Sequence, residues 1–423
     1  MEKDTVIELK NPVIVDELTA LLRNGAKRVI AEAIETELES FLQEVSSSLA
    51  DGKSRVVRNG YLPGRTILTG IGSLEIRVPR VRDRLDVADK INFKSSLIPP
   101  YMRRTATMDK VLPLLYLKGI SEADFVEVLT PIFGSQTKNL SPCVISRLKA
   151  SWEEEHARWS ARPLTEEHYV YWWVDGIHFH ARNDEKRCVL VVLGVNAQGE
   201  KKLIALTDGF RESTESWLCL LRALKARGLA APVIAVGDGA LGFWNAIDAV
   251  FPETKHQRCW FHKMGNVLDK LPISQQNNAK KRLQEIWMSA TRKEANSAFD
   301  AFITEYGAKY PKATDCLEKD REALLTFYDF PAEHWVHLRT TNPIESVFAT
   351  VRHRTYKAKG AFSCKTILTM AFKLMESAQK NWIRLRGFQQ LDNVIKGVKF
   401  KDGNRVENDV LSLTSEQQNQ AAA

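Results

Sequence analysis

Residues 169–180 read YVYWWVDGIHFH, and residues 187–195 continue with RCVLVVLGV. The first segment alternates along its length and the second is an almost continuous apolar run, so both are predicted to be strands, the second of them buried. A third strand is expected at residues 202–206, after a turn at Gln198-Gly199. Because short turns join the three strands, they are predicted to form an antiparallel meander.

The segments that follow alternate between helix and strand. We predict a helix at residues 215–227, a strand at 232–236, a helix at 241–250 and a short strand at 257–261. The order β-β-β-α-β-α-β is that of a ribonuclease H-like sheet, which predicts an α/β fold. Residues 263–338 break this rhythm and read as all-helical, with helices predicted at 279–289, 293–306 and 315–327.

Two segments with other patterns precede this region. Apolar residues recur at helical spacing over residues 15–45, which predicts a long amphipathic helix that either pairs with another subunit or covers the protein's own core. Residues 55–82 read as short strands and turns that carry arginines. They fit either an extended arm that follows a nucleic-acid backbone or a plain β-hairpin.

Residues 107–150 are predicted to form three short helices. Gly119 ends the first, Ser121 to Asp124 resembles a cap that opens the second, and Ser141-Pro142 supplies an N-cap and a first-turn proline for the third. Three such helices suit a helix-turn-helix, although any small helical bundle gives the same pattern.

The composition indicates a protein of the reducing cytoplasm that does not enter the membrane. The 423 residues include six scattered cysteines, which form no disulfide framework. No apolar stretch approaches the roughly 18 to 20 residues that span a bilayer, and the charged N-terminus lacks the apolar core of a signal peptide.

The net charge of +8 is unevenly distributed. Residues 51–104 carry +7 and residues 339–386 carry +8, so that the rest of the chain is acidic at about −7. Such segregation is what phosphate binding requires, and it favours a nucleic-acid partner over two merely solvated surfaces.

Three acids stand out as candidate metal ligands. Asp175 lies in an apolar strand, where a carboxylate is costly unless it binds a cation or a strong donor, and Asp238 follows the strand at 232–236. Either Asp-Gly pair alone is also typical of a simple turn. Glu345 opens a basic helix, although Asn342, Pro343 and Glu345 also fit a capping box that needs no chemistry.

A second group of residues has metal-ligand spacing. His256, Cys259 and His262 are three residues apart, and His334 with His337 could complete a zinc site. Zinc ribbons usually contain paired cysteines, so zinc is not expected here.

Several strings occur in order along the chain. They are Arg58-Asn59-Gly60, Val78-Pro79-Arg80, WSARPL at 159–164, Val174-Asp175, GDGALGF at 237–243, QRCWFH at 257–262 with Asn266, and TTNPIES at 340–346. In these strings, over about residues 55–390, the chain resembles the mutator-type transposases of bacterial insertion sequences. These are relatives of eukaryotic Mutator-like transposases and have a ribonuclease H-like catalytic core.

The resemblance implies a function and a site. It implies that Asp175, Asp238 and Glu345 are the catalytic acids and hold two Mg²⁺ ions, for which Mn²⁺ can substitute. Cys259 and His262 match the family's Cys-x-x-His signature, for which a structural or DNA-contacting role is implied. The activity implied is binding of terminal inverted repeats, metal-dependent DNA cleavage and strand transfer, by a copy-out route through a circular intermediate.

The partners expected are double-stranded DNA, as terminal inverted repeats and as target, and a second copy in a homodimer. We expect no membrane and no small-molecule substrate, and a nucleoid-associated location in the bacterial cytoplasm. The candidate DNA-binding residues are Arg58, Arg65, Arg77, Arg80, Arg82, Arg147, Lys149, Arg352, Arg354, Lys357 and Lys359. A catalytically silent DNA-binding regulator is the alternative. A carboxylate-pair hydrolase such as a glycosidase would leave the basic windows unexplained.

The predicted organisation has seven parts. They are an N-terminal helix and candidate dimer contact (1–48), a basic extended DNA-binding arm (49–105), a helix-turn-helix-like end-recognition domain (106–165), the first part of the catalytic core (166–262), a helical insertion domain (263–340), the second part of the core with the glutamate helix (341–395), and a C-terminal tail (396–423) predicted to be disordered after about Lys401.

Overall fold

A computed structural model describes residues 17–46, 49, 52–85, 89–120, 128–130, 142–180, 186–209, 213–239, 241–357 and 363–406. The chain divides into two compact units, residues 1–148 and 149–423. Among the helices in these ranges, none is both long and apolar enough to cross a bilayer.

The first unit begins with a long helix, α1 (Glu17–Glu44), close to the helix predicted at residues 15–45. Ile34 and Leu38, in its second half, are buried against the strands that follow. Its first half exposes a set of apolar side chains, namely Leu18, Leu21, Leu22 and Val29. The second half of the helix therefore covers the unit's own core, while an apolar stripe on the first half faces outward.

Four short strands confirm the predicted pattern of strands and turns. They are β1 (Val56–Tyr61), β2 (Arg65–Thr69), β3 (Gly72–Ile76) and β4 (Pro79–Asp83). β2 and β3 form an antiparallel hairpin, and β1 pairs antiparallel with β4. Ile67 and Leu74 pack with Ile34 of α1, which anchors the hairpin on the helix. The strands therefore pair with one another, as in the hairpin interpretation.

The helices predicted at 107–150 are described only in part. The first, α2 (Ala106–Leu117), buries Met108, Leu112 and Tyr116. The second is predicted from Ser121, and residues 121–127 lie outside the described ranges. The third, α3 (Pro142–Ala161), spans 20 residues and is not short. The helix-turn-helix stays a prediction.

The second unit is built on a five-stranded sheet of order β7-β6-β5-β8-β9. Its strands are β5 (Tyr169–His180), β6 (Lys186–Asn196), β7 (Lys201–Gly209), β8 (Ile234–Gly237) and β9 (Lys255–Arg258). β5, β6 and β7 pair antiparallel, which confirms the predicted meander, whereas β8 is parallel to β5 and β9 is parallel to β8. The fold of this unit is therefore α/β with a central mixed sheet.

Helices cover both faces of this sheet. Trp172 and Val174 of β5 pack with α4 (Thr214–Ala226) and α5 (Leu241–Val250) in one apolar core. On the opposite face of β5, the Tyr171 hydroxyl is hydrogen-bonded to His334 and the Trp173 indole donates to the His337 carbonyl. The first strand is therefore buried on both sides, which explains its run of aromatic residues.

The short strand predicted at 257–261 is wrong at its carboxyl end. The strand occupies Lys255–Arg258, and the helix α6 (Trp260–Leu268) begins directly after Cys259. The Trp260 indole donates a hydrogen bond to the Leu324 carbonyl (2.8 Å). This contact attaches the start of α6 to a segment far along the chain, so Trp260 does not extend the sheet.

Residues 263–338 are helical, as predicted, but the single helix predicted at 315–327 is wrong, because the chain turns at residues 319–320 between two helices. The helices that continue from α6 are α7 (Ile273–Met288), α8 (Arg292–Tyr306), α9 (Pro311–Glu318), α10 (Arg321–Leu325) and the short α11 (Trp335–Leu338). Two longer helices follow, α12 (Asn342–Lys357) and α13 (Cys364–Gln379). A short α14 (Leu391–Ile395) comes after them.

Part of the predicted C-terminal tail is ordered. β10 (Phe400–Lys401) and β11 (Asn404–Arg405) form a hairpin that is joined to the helical region. The backbone N–H of Gly403 donates to the Tyr328 carbonyl (3.3 Å), and the Gly403 carbonyl accepts from Ala332 (3.2 Å). Disorder from Lys401 is therefore wrong for residues 401–406, and residues 407–423 lie outside the described ranges.

Candidate metal centre

Asp175 and Asp238 are brought to the same edge of the sheet by the pairing of two strands. β5 and β8 run parallel, with Val174 opposite Gly237, and each acid is the next residue along its strand. A side chain at Gly237 would come within 2.9 Å of Val174 Cγ2, so glycine permits this close approach. Asp175 therefore lies within β5 and Asp238 directly after β8, as predicted, and the pairing of the two strands makes them neighbours.

The backbone around Asp238 is held from two sides. Its carbonyl accepts hydrogen bonds from the Trp244 indole (2.8 Å) and from Arg258 Nη1 (2.7 Å). Arg258 is itself nearly buried and pairs with Asp320 (3.3 Å). The turn that carries Asp238 is therefore fixed by contacts to α5 and to the end of β9.

Glu345 lies in the first turn of α12, but it does not complete the predicted capping box. The helix begins at Asn342, and the carbonyl of the preceding Thr341 accepts from the N–H of Ile344 (2.9 Å) and of Glu345 (3.1 Å). The Asn342 N–H is bonded to the Thr340 hydroxyl (3.4 Å). Thr341, and not Asn342, is thus the residue that precedes the helix, and the Glu345 carboxylate is directed elsewhere.

The Glu345 carboxylate meets Asp175 around a histidine. One ligand atom from each of Asp175, His262 and Glu345 lies within 4.8 Å of the others, and all three side chains are half-buried. His262 Nε2 is 3.2 Å from Glu345 Oε1. No other cluster of metal-ligating side chains occurs in the part of the chain that the structure describes. Two of the three predicted acids therefore converge with His262, and the negative charge of Asp238 also acts on that imidazole.

A buried threonine links these groups. The hydroxyl of Thr341 lies 3.3 Å from Cys259 Sγ, 3.5 Å from His262 Nδ1 and 3.2 Å from Glu345 Oε1. Its backbone N–H also donates to Cys259 Sγ (3.3 Å). We did not predict Thr341 as a site residue, and the only sequence signal was its place beside Asn342 in the string at 340–346.

The electrostatics of the cluster favour a charged imidazole. The hydrogen bond with Cys259 and the charges of Cys259, Asp238 and Asp175 raise the pKa of His262 to about 9, against the opposing effect of burial. Burial acts to raise the pKa of Cys259, but hydrogen bonds from His262 and Thr341 outweigh it and lower that pKa. These interactions favour the protonated imidazole of His262 beside the acids, whereas ligation of a metal ion would require its neutral form.

The other histidines do not join this cluster. Both ring nitrogens of His334 are bonded, one to the Tyr171 hydroxyl (2.7 Å) and one to the Gly387 carbonyl (2.8 Å). His337 Nε2 accepts from the Arg386 N–H (3.2 Å), and His256 pairs with Asp248 (2.8 Å). His256, His334 and His337 therefore make separate contacts and do not join Cys259 and His262.

Several of the arginines predicted to bind DNA have contacts within the first unit. Arg58 pairs with Glu35 (2.7 Å), and Arg80 donates to the Asn59 carbonyl (2.7 Å), although both side chains are exposed. Arg65 donates to two backbone carbonyls, as described below. These contacts order the β-ribbons, and DNA binding by these residues stays a prediction.

The remaining candidates are exposed or only partly described. Arg77, Arg82 and Arg147 are exposed, and Lys149 is half-buried. In α12, Arg352 is exposed and lies 5.7 Å from the centre of the Phe348 ring. Of the others, Arg354 and Lys357 lie in the helix with side chains that are not described, and Lys359 lies outside the described residues.

The chain matches a family described as "Transposase, Mutator family" over residues 1–385. The transposase for insertion sequence element IS6120 of Mycolicibacterium smegmatis is 50% identical over 301 residues, covering 71% of this chain and 93% of that protein. The transposase for element IST2 of Acidithiobacillus ferrooxidans is 50% identical over 285 residues, covering 66% and 94%. The transposase for element ISRM5 of Rhizobium meliloti is 27% identical over 379 residues, covering 88% and 91%. This chain belongs to the Mutator family of transposases.

Proposed function

We propose that this chain is an insertion-sequence transposase that cleaves DNA at the ends of its element and transfers the cleaved strand, using divalent cations held by Asp175, Asp238 and Glu345. The observation that carries this proposal is the convergence of Asp175 and Glu345, from a strand and a distant helix, in a member of a transposase family. Half-buried carboxylate oxygens are the ligands that Mg²⁺ and Mn²⁺ prefer.

The catalytic core of the proposal is ribonuclease H-like. Three antiparallel strands followed by two parallel ones, with Asp175 and Asp238 on adjacent strands, support that assignment. The helix α12 packs on β5 and brings Glu345 to the same edge. Residues 263–340 are then an insertion between β9, the last strand of the five-stranded sheet, and α12, the helix that carries Glu345.

Each residue of the site has a role in the proposed reaction. Two bound cations would activate an oxygen nucleophile on one side of a phosphodiester and stabilise the leaving oxygen on the other. Asp175, Asp238 and Glu345 hold and orient them, and Thr341 fixes the rotamer of Glu345 through its hydroxyl. Cys259 is buried, and its sulfur accepts a hydrogen bond from the Thr341 N–H. We therefore assign it a structural role and not that of a nucleophile.

His262 gives the site a second property. As an imidazolium beside Glu345 it compensates the negative charge of the acids when they are close together. A cationic imidazole at this position would also attract a phosphate oxygen of DNA, since a charge-assisted hydrogen bond to phosphate is among the stronger ones. We assign His262 the positioning of Glu345 and of the scissile phosphate.

DNA recognition is assigned to the first unit and to α12. The β-ribbons carry exposed Arg77 and Arg82, α12 carries exposed Arg352, and residues 106–165 would read the terminal inverted repeats as a helix-turn-helix. The apolar stripe of α1 is the candidate contact of a homodimer that holds two ends together. The copy-out route through a circular intermediate belongs to the same proposal.

A nicking assay tests the proposal. Purified protein is incubated with a duplex that ends in the host element's inverted repeat, with Mg²⁺, with Mn²⁺ or with chelator. The proposal requires strand cleavage that depends on the divalent ion and is lost in Asp175→Ala and Asp238→Ala but kept in Asp315→Asn, which alters an exposed acid of α9. Binding without cleavage under every ionic condition would favour a catalytically silent regulator.

A further inference from the structure

One turn in the first unit holds a tyrosine in a backbone conformation that favours glycine. The Met102 N–H donates to the Pro99 carbonyl (3.3 Å), which closes a turn with Pro100 and Tyr101 at its centre. Tyr101 has φ 65°, and the third position of such a turn takes a positive φ that glycine or asparagine usually supplies. For a bulky side chain this conformation is a genuine outlier, so the tyrosine raises the free energy of the turn.

Burial does not compensate for this strain. The Tyr101 side chain is 93% exposed, more than any other large apolar or aromatic residue in the described ranges. A residue that is both strained and solvated contributes nothing evident to the stability of the free protein. Strain of this kind is characteristic of functional positions, which points to an external contact for the ring.

The turn is fixed in place by contacts on both sides. Arg65 Nη2 donates to the carbonyls of Ile98 (2.7 Å) and Pro99 (2.8 Å). Glu37 of α1 accepts from the backbone N–H of Ser96 (2.6 Å) at the start of the segment. At its end, the Leu68 N–H donates to the Arg103 carbonyl (2.9 Å). The ring is therefore presented on a rigid support, which lowers the entropy that binding would cost.

The same segment borders a cleft of about 1410 Å³. Five basic side chains and one acidic side chain line it, namely Arg65, Lys94, Arg103, Arg104, Arg147 and Asp109. Asp109 pairs with Arg104, whereas Lys94 and Arg103 are exposed. The cleft thus combines an excess of positive charge with a solvent-facing aromatic ring, the pairing by which proteins bind single-stranded nucleic acid.

We propose that Tyr101 stacks on an unpaired base at the end of the element DNA, while Lys94 and Arg103 contact its phosphates. This inference rests on the proposed DNA-binding function and adds to it a site for an unpaired strand next to the duplex. A base has a flat face that can stack on the ring whatever its sequence, and the backbone phosphates match the basic lining. A protein partner would have to place acidic groups around the ring, and a continuous duplex offers no free base face.

Binding measurements on two DNA probes test the assignment. One probe is a blunt duplex of the inverted repeat, and the other is the same duplex with a short single-stranded extension that contains 2-aminopurine. We expect Tyr101→Gly to weaken binding of the extended probe by roughly 5- to 140-fold, the value of one base–aromatic stack, and to leave the blunt duplex unchanged. In wild-type protein the 2-aminopurine fluorescence should be quenched on binding, and in the glycine variant it should not.

Two variants serve as controls. Tyr101→Phe keeps the aromatic face and should bind both probes as wild type does. Leu97→Ala removes an exposed apolar side chain of the same cleft that has no aromatic face, and it should change neither affinity by more than about 2-fold. Because glycine accepts a positive φ, Tyr101→Gly should unfold at the same temperature as wild type or higher, which excludes misfolding as the cause of weaker binding.

The possible outcomes separate the inference from the proposed function. If wild-type protein binds neither probe, both fail. If wild type binds DNA and Tyr101→Gly binds both probes as tightly as wild type does, the stacking assignment alone is overturned. An equal loss on the blunt and extended probes also overturns it, since the ring would then contact duplex DNA.

Discussion

Replacing Thr341 by valine tests whether its hydroxyl holds the candidate metal centre together. Valine has nearly the same shape, so the change removes the hydroxyl without leaving a large cavity. In the native protein this hydroxyl lies 3.2 Å from Glu345 Oε1 and 3.3 Å from Cys259 Sγ, and Thr341 is completely buried. The valine variant deprives the Glu345 carboxylate and the Cys259 thiol of this hydrogen-bond partner. A buried polar group that loses a partner destabilises the folded protein.

The size of the effect follows from the number of hydrogen bonds. A hydroxyl donates one proton, to Glu345 or to Cys259, and can accept a second hydrogen bond from His262 Nδ1 (3.5 Å). At about 1 kcal/mol for each bond, Thr341→Val should lower the free energy of unfolding of the second unit by about 2 kcal/mol. Since Glu345 loses the group that orients it, the affinity for Mn²⁺ should fall by about 10- to 100-fold.

Urea unfolding followed by tryptophan fluorescence measures the first quantity, and titration calorimetry with Mn²⁺ measures the second. Thr341→Ser is the matched control, because it keeps the hydroxyl and loses only a methyl group. It should lose about 1 kcal/mol of stability and keep its Mn²⁺ affinity within about 3-fold of wild type. Equal Mn²⁺ affinities for the valine and serine variants would refute the role given to the hydroxyl.

Three further predictions concern other parts of the second unit. Burial, with the charges of Lys201, His334 and Arg386, lowers the pKa of His337 to about 4. The unfolded state therefore binds more protons between pH 6.5 and 4, and the free energy of unfolding should fall by about 1–2 kcal/mol over that range after allowance for solvent screening. His337→Gln should flatten the profile measured by urea unfolding at several pH values, and an unchanged slope would contradict the assignment. Asp320→Asn leaves the nearly buried cations Arg258 and Lys263 without their counter-ion and should cost about 3 kcal/mol, measured by urea unfolding, with Glu318→Gln as an exposed control on the preceding helix. A decrease of less than about 1 kcal/mol in the free energy of unfolding would contradict the stabilising role given to Asp320. Arg352→Ala should lower the slope of log affinity against log salt by about 1 without changing sequence preference, in binding titrations at several salt concentrations. A change of preference would indicate that this side chain contacts bases.

The sheet could be predicted from sequence because its signals are local. The run at 187–195 and the alternation at 169–180 fix strand type, and the short turns between the first three strands fix antiparallel pairing. The pairing that brings Asp175 and Asp238 together is not local, because β8 lies parallel to β5 although β6, β7 and α4 separate them along the chain. Only the β-β-β-α-β-α-β order of the whole segment predicts it. Local pattern is enough when neighbours in space are also neighbours in the topology.

The errors arose where distant contacts decide the structure. The apolar neighbours of Trp260 predict a strand, but Trp260 begins the helix α6 and its indole donates to the Leu324 carbonyl. The polar residues after Lys401 indicated disorder, but the Arg292 N–H donates to the Asp402 carboxylate (2.6 Å) and helps to hold a hairpin. No window of neighbouring residues contains either partner.

The linkage of Thr341 to Cys259 and His262 escaped sequence reasoning for the same reason. Next to Asn342 and Pro343, a threonine is an ordinary residue before a helix, and its side chain could have capped the backbone. Its hydroxyl instead joins α12 to α6 and to the Glu345 carboxylate. The role of such a residue depends on the packing of two helices, which the sequence of either helix alone does not contain.

The most direct test of the central claim is strand transfer by Glu345→Ala. The variant should bind the end-containing duplex as tightly as wild type but neither cleave nor join it, with Mg²⁺ or with Mn²⁺, because one carboxylate of the metal centre is missing. Full cleavage and joining by this variant would contradict the account and leave Glu345 as a structural partner of His262 and Thr341.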